Sequence, residues 1–176
     1  ERIDIRVLDM DVLSTDSCAA AIGHVVREQE RLDVVVNNAG MLALGVTEAF
    51  TVQQVARVFD TNAFSWLRVN KVSLPVMRRQ RSGLLMYLGS TTTRLHEPFL
   101  GPYTASKVAG DALAEIIGME VRPFGIDTVI LVPGAFTRGT SHFDNAAPPE
   151  DTAAANAYRG ITSSRIPGLR DKLDEI

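Results

Sequence analysis

The chain has 176 residues, a formal net charge of −3, 45% hydrophobic residues and 22% charged residues. That is enough for one domain with its own core, and an acidic balance without a basic stripe argues against a nucleic-acid partner. No apolar run reaches the roughly 18 residues that span a bilayer, and the single Cys18 excludes an internal disulfide framework or a multi-cysteine metal site.

The first stretch, ERIDIRVLDMDV, alternates Ile3, Ile5 and Val7 and reads as a strand. It is charged and lacks an initiator Met, so it reads neither as a signal peptide nor as a natural start. A cytoplasmic setting fits. Ser14 or Thr15 is a good N-cap for a helix over DSCAAAIGHVVREQE, with Cys18 as a small packing residue. RLDVVVNNAG follows, a short β-branched run that ends in Asn-Asn-Ala-Gly. Apolar runs of this kind suit parallel strands covered by helices on both faces.

Thr51 caps a long helical segment in which Val55, Val58, Phe59, Phe64, Leu67 and Val72 keep helical spacing. Pro75 is expected to kink it or turn the chain. SGLLMYLGS is the next strand, TTTRLHEPFLGP a loop, and YTASKVAGDALAEIIGMEVRP a helix stopped by Pro123 and Gly125. IDTVILVPG is a further buried strand. Beyond Gly134 the chain is polar and rich in Ala, Pro and Gly, with short helical pieces at most, and GLRDKLDEI reads as a solvated helical end. Strands alternating with helices imply one α/β domain over residues 1–176, a doubly wound parallel sheet with right-handed crossovers. Ligands of such sheets collect at the carboxyl ends of the strands. Asp11, Asn37 to Gly40, Ser90, Pro133 and Gly134 fall there.

Tyr103 and Lys107 share one helical face a turn apart, Ser90 ends a strand thirteen residues earlier, and Asn62 lies in the preceding long helix. A hydroxyl, a phenol, an ammonium and an amide beside one sheet edge suit proton exchange with an alcohol or carbonyl oxygen. A free phenol titrates near 10, too high for a good base at neutral pH. The Lys107 cation is expected to lower that value. Ser90 can hold the substrate oxygen while Tyr103 gives or takes its proton. The accompanying hydride needs a cofactor, because no side chain supplies one.

NNAG after a strand, Ser90, YTASK opening a helix, Asn62 twenty-eight residues before Ser90, and PG after the last strand together resemble the short-chain dehydrogenase/reductase family. The resemblance covers residues 5 to 137 and implies a Rossmann-type fold and an NAD(P)-dependent oxidoreductase that interconverts a secondary alcohol and a ketone. By position, it makes Tyr103 the acid/base, Lys107 its activator and a ligand of the nicotinamide ribose, and Ser90 the group that orients the substrate oxygen. It makes Asn62 the holder of a water in a proton relay to Lys107. Asp11 and Val12 would sit by the adenine, Asn38, Ala39 and Gly40 would line the cofactor groove, and Pro133 and Gly134 the nicotinamide end. Thr137 would bind the carboxamide, one position earlier than the family's usual Thr, where Arg138 stands. Thr93 stands where many members have Gly.

The family's glycine-rich turn and first two strands have no counterpart here, and its last strand is not recognisable. The chain opens on what would be the family's third strand, so the expected fold is incomplete at the N-terminus and at the C-terminus. The choice between NAD and NADP cannot be read from it. One consequence is a second reading, a non-catalytic remnant of the fold acting as an oligomerising or regulatory subunit. A third, an epimerase or dehydratase using the cofactor transiently, fits NNAG and Asn62 less well. Residues 135–165 are the expected substrate-loop region. Leu95, Phe99, Leu100, Phe136 and Phe143 form either an apolar substrate wall or anchors for loops, and His96 and His142 are given no chemistry. In the family the helices corresponding to 51–74 and 103–122 build a subunit interface, which implies a homodimer or homotetramer.

Overall fold

The computed structural model describes residues 5–135 and 139–174, for the last five of these the backbone alone. Helix α1 spans Thr15–Gln29, and the Ser14 hydroxyl accepts the Ser17 N–H as its cap. Strand β1 spans Val34–Asn37. Helix α2, Val52–Phe59, opens on a reciprocal capping box between Thr51 and Gln54. A π turn over Asp60–Phe64 joins it to α3, Ser65–Gln80. Strand β2 is Gly83–Leu88, α4 is Gly101–Val121 and β3 is Ile126–Leu131. Two helices follow, α5 at Thr152–Ala157 and α6 at Arg159–Asp174.

The three strands form one parallel sheet in the order β1-β2-β3. Val35 pairs with Leu85 and Asn37 with Tyr87, while Leu85 pairs with Thr128 and Tyr87 with Ile130. These residues point to one face, where Cys18 and Ile22 of α1, Trp66, Val69 and Met77 of α3, and Ala114 and Val121 of α4 close the core. The opposite face presents Val34, Val36, Val129 and Leu131, each half-exposed. Among the described residues, no helix is long and apolar enough to cross a membrane.

Three expectations are corrected. Residues 5–11 form no strand: Ile5 and Val7 are 80% and 88% exposed. Alternation makes a strand only where a neighbour accepts its hydrogen bonds, and β1 pairs with β2 alone. The long helical segment from Thr51 is divided, though not at Pro75, through which α3 runs to Gln80. The irregularity lies upstream in the π turn, and it divides the apolar series, with Val58 buried but Phe64 and Leu67 at the surface. Finally, the tail carries a 16-residue helix, α6, where short pieces were expected.

Gly110 sets how closely α4 approaches α3. A Cβ there would lie 2.7 Å from the Trp66 ring, and Trp66 is 1% exposed. Gly110→Ala gains helix propensity but forces two packed helices apart, which costs about 1–3 kcal/mol. The expected result is a lower urea midpoint with an unchanged slope. An unchanged midpoint would show that the helices can shift freely.

Candidate functional site

The carboxyl ends of the strands border a cavity of about 430 Å³. Its walls come from the turn after β1 (Asn38, Ala39, Gly40), the end of β2 (Leu88 to Thr92), α4 (Tyr103, Lys107) and the segment after β3 (Pro133 to Ala135). Thr140, His142 and Phe143 close it from the tail. Of the residues singled out in the sequence, Asn38, Ala39, Gly40, Ser90, Tyr103, Lys107, Pro133 and Gly134 meet here.

Each polar group is held by a specific device. Ser90 caps the turn at Thr91–Thr93, and its Oγ accepts from the Thr92 N–H at 3.2 Å and from the Thr92 hydroxyl at 3.0 Å. With both lone pairs engaged, the Ser90 proton is free to be donated. The Ser90 hydroxyl pulls the Tyr103 phenol's pKa down, but burial dominates and holds it above its ordinary value. The expected lowering by Lys107 is therefore not what governs this phenol. Lys107 is 4% exposed and donates to the Leu88 carbonyl at 2.6 Å, while Nζ lies 5.9 Å from the Tyr103 ring centre and 5.7 Å from that of Trp66. Burial pushes the ammonium down to about 8, against the opposing pull of Asp111.

Asn62 is fully buried and does not line the cavity. Its Oδ1 accepts from the Met41 N–H at 2.7 Å, and its Nδ2 donates to the Met41 carbonyl and to Ser106 Oγ, each at 2.9 Å. It thereby clamps the turn containing Gly40 onto α4. The π turn presents it close against Gly40. A Cβ on Gly40 would lie 3.3 Å from Asn62 Oδ1 and 3.6 Å from Lys107 Nζ.

Asp11 is exposed and stands apart from this cavity. Its side chain accepts the Leu13 N–H at 2.9 Å, and its backbone N–H donates to Ser17 Oγ at 2.9 Å, so it shapes the approach to α1. Val12 lines a second, smaller cavity with Met10, Ile22, Val36 and Trp66, which shares Asn38 and Ala39 with the first. Thr137, with Phe136 and Arg138, lies outside the described residues. Leu100 and Phe143 form the apolar wall beside Tyr103, together with Leu42 and Leu169. Leu95 is 63% exposed and Phe99 lines a separate cavity against α6.

His142 lines the cavity, although its position in the sequence implies no chemistry for it. Its ring meets that of Tyr103 edge-on at 5.9 Å, and burial, aided by the Lys107 charge, holds it below its ordinary pKa. The segment reaches the site through backbone bonds, Leu44 N–H to the Ala147 carbonyl and Ala147 N–H to the Leu42 carbonyl. Such bonds leave no side-chain pattern to read. Thr92 and Ser106 were missed for a related reason, since each acts by directing another side chain. Among the described residues, no cluster of His, Cys, Asp or Glu could hold a metal ion.

A parallel sheet with a glycine-floored polar cavity at its carboxyl edge defines an α/β protein of the Rossmann-like class. The family profile described as short chain dehydrogenase matches residues 1–150, and the chain belongs to that family. It is 36% identical over 135 residues to the 3-ketodihydrosphingosine reductase of Bacteroides thetaiotaomicron, covering 77% of this chain and 50% of that protein. It is 35% identical over 130 residues to human 17-beta-hydroxysteroid dehydrogenase type 1, covering 74% of this chain and 39% of that one. It thus spans about half or less of the length of these two relatives. Among solved structures, a short-chain dehydrogenase from Streptomyces avermitilis superposes with a TM-score of 0.76 at 30% identity, over 91% of this chain and 60% of that one. A metagenomic short-chain oxidoreductase in complex with NADP shares the fold, with a TM-score of 0.67 at 23% identity, over 72% of this chain and 57% of that one.

Proposed function

We propose that this chain carries the catalytic half of an NAD(P)-dependent oxidoreductase that interconverts a secondary alcohol and a ketone on a large apolar skeleton. The observation that carries this reading is the convergence of Ser90, Tyr103 and Lys107 on one cavity, with the Ser90 oxygen accepting from Thr92 so that its own proton is free to be donated. The residues fit the cofactor: Gly134 leaves part of the floor open, since nothing would meet a Cβ there within 4 Å. Asn38, Ala39, Gly40, Lys107, Pro133 and Gly134 would hold the nicotinamide half, with Thr137 at its carboxamide and Asp11 and Val12 toward the adenine. When bound, NAD(P)H supplies the hydride that no side chain can provide.

The protein's part is proton placement. Tyr103 keeps its proton at neutral pH and is set to donate it to a ketone oxygen. Ser90 donates a hydrogen bond to the same oxygen. Lys107 stays cationic below about pH 8 and favours negative charge nearby. Asn62 keeps the Gly40 turn against α4, on the side where a relay water would reach Lys107. Leu42, Leu100 and Phe143 make the wall beside Tyr103 apolar, and the region 135–165 would take up the substrate. The substrates named for the two relatives, a keto-sphingoid base and a steroid, are of matching character. Phe64 and Leu67, with Val108, Ile116 and Met119 of α4, are exposed apolar residues suited to a homo-oligomeric interface.

The single Trp66 beside Lys107 is a built-in probe. Titration of the purified protein with NADPH and with NADH is expected to quench its emission with one of them. Consumption of that dinucleotide should follow on adding a long-chain or steroid ketone. A protein that binds neither dinucleotide would sink the reading. Binding without turnover on any ketone or alcohol would favour a non-catalytic member of the fold.

A further inference from the structure

One turn beyond Lys107, α4 carries a carboxylate that the chemistry above does not use. Asp111 is 4% exposed, and among the described residues neither of its oxygens has a hydrogen-bond partner. It lies under the end of β2, where a Cβ on Gly89 would be 2.9 Å from Oδ1. Gly89 follows Leu88, whose carbonyl holds Lys107 Nζ. The Thr93 hydroxyl stands beside the carboxylate but donates its one proton to the Ser90 carbonyl at 2.9 Å. We propose that Asp111 is a positioning residue, the buried counter-charge that keeps Lys107 protonated.

A buried carboxylate without donors stays ionised only through nearby cations. The charged groups around it are Lys107 and Glu115 on its own helix and Arg94 from the turn after Ser90. Burial raises the Asp111 pKa, while Thr93, Arg94 and Lys107 oppose the rise and Glu115 adds to it. Lys107 in turn faces Asp111 from its own helix, and His142, also held low by it, from the tail. The two buried groups therefore depend on each other. The carboxylate holds the ammonium up against burial, and the ammonium holds the carboxylate down. The sequence signal was available in the i, i+4 spacing within KVAGD, but that spacing is common on helices.

This inference rests on the reading of Lys107 as part of the site, and its test is independent of turnover. Lysine side-chain NMR of the purified protein gives the Lys107 midpoint, assigned by Lys107→Met. In Asp111→Asn, which keeps the shape of the side chain, the midpoint is expected to move below about 8. Carboxyl NMR on Lys107→Met, which needs no change at Asp111, is expected to show the Asp111 midpoint raised, because coupling is mutual. A Lys107 midpoint unmoved in Asp111→Asn, or an Asp111 midpoint unmoved in Lys107→Met, overturns the proposal. Mutual shifts in a protein that binds neither NADH nor NADPH would uphold the coupling and reject the oxidoreductase reading instead.

Discussion

Tyr103→Phe lowers kcat by roughly 10²–10⁴-fold, the usual contribution of a positioned acid or base. Only one oxygen is lost. The ring keeps its packing against Leu42, Leu100 and Leu169 and its edge contact with His142, so the fold should survive intact. Dinucleotide affinity should change by less than about tenfold, the net worth of a single hydrogen bond. Steady-state rates with the best ketone, paired with Trp66 quenching, separate the two quantities. Turnover at the parent rate would mean that another group delivers the proton. His142, the titratable neighbour of the phenol, would then be the residue to change next.

The second large effect is on stability and concerns Lys107. Its pKa falls from 10.5 in the unfolded chain to about 8 in the folded one. Between those values the unfolded chain binds the proton and the folded one does not, so stability must rise with pH there. Below about 8 both forms are protonated and the full penalty of burying the ammonium remains. The difference of about 2.5 units corresponds to about 3 kcal/mol. Urea unfolding at several pH values should therefore show the parent gaining on Lys107→Met by that order between pH 8 and 10.5, and running parallel to it below. Parallel curves throughout would mean that the ammonium is far better solvated than its 4% exposure implies. The burden also explains what the site gains: an ammonium close to its own pKa responds strongly to any charge placed beside it.

Much of this was legible in the sequence because it rests on local rules. The caps at Ser14 and Thr51 and the stop at Gly125, whose φ is +72°, came from backbone chemistry that a few residues determine. The strands β1, β2 and β3 followed from short apolar runs, and the gathering of Ser90, Tyr103 and Lys107 from where such runs end. What could not be read depends on partners. Ile3, Ile5 and Val7 alternate well, yet among the described residues, 5–11 have no strand to pair with. His142 is brought to Tyr103 by bonds of the Ala147 backbone, which any residue except proline could make. The phenol's pKa was misjudged because spacing shows which charges are near but not how much water is excluded. Here exclusion outweighs charge.

Among the described residues, the sheet contains no hairpin. Val34 meets Leu84, and Gly83 meets Ile126, only after a whole helical excursion has been made. Contacts so distant in sequence must be closed before they return any stabilisation, which places such a chain among slow folders. The cavity draws on the ends of all three strands, on α4 and on the tail, so no half-built intermediate can contain it. Closure of the cavity during refolding is therefore a clock for the final docking event rather than for collapse. In the interval β1 offers a bare valine-rich edge to any other chain present. The yield of native protein is accordingly expected to fall as its concentration rises.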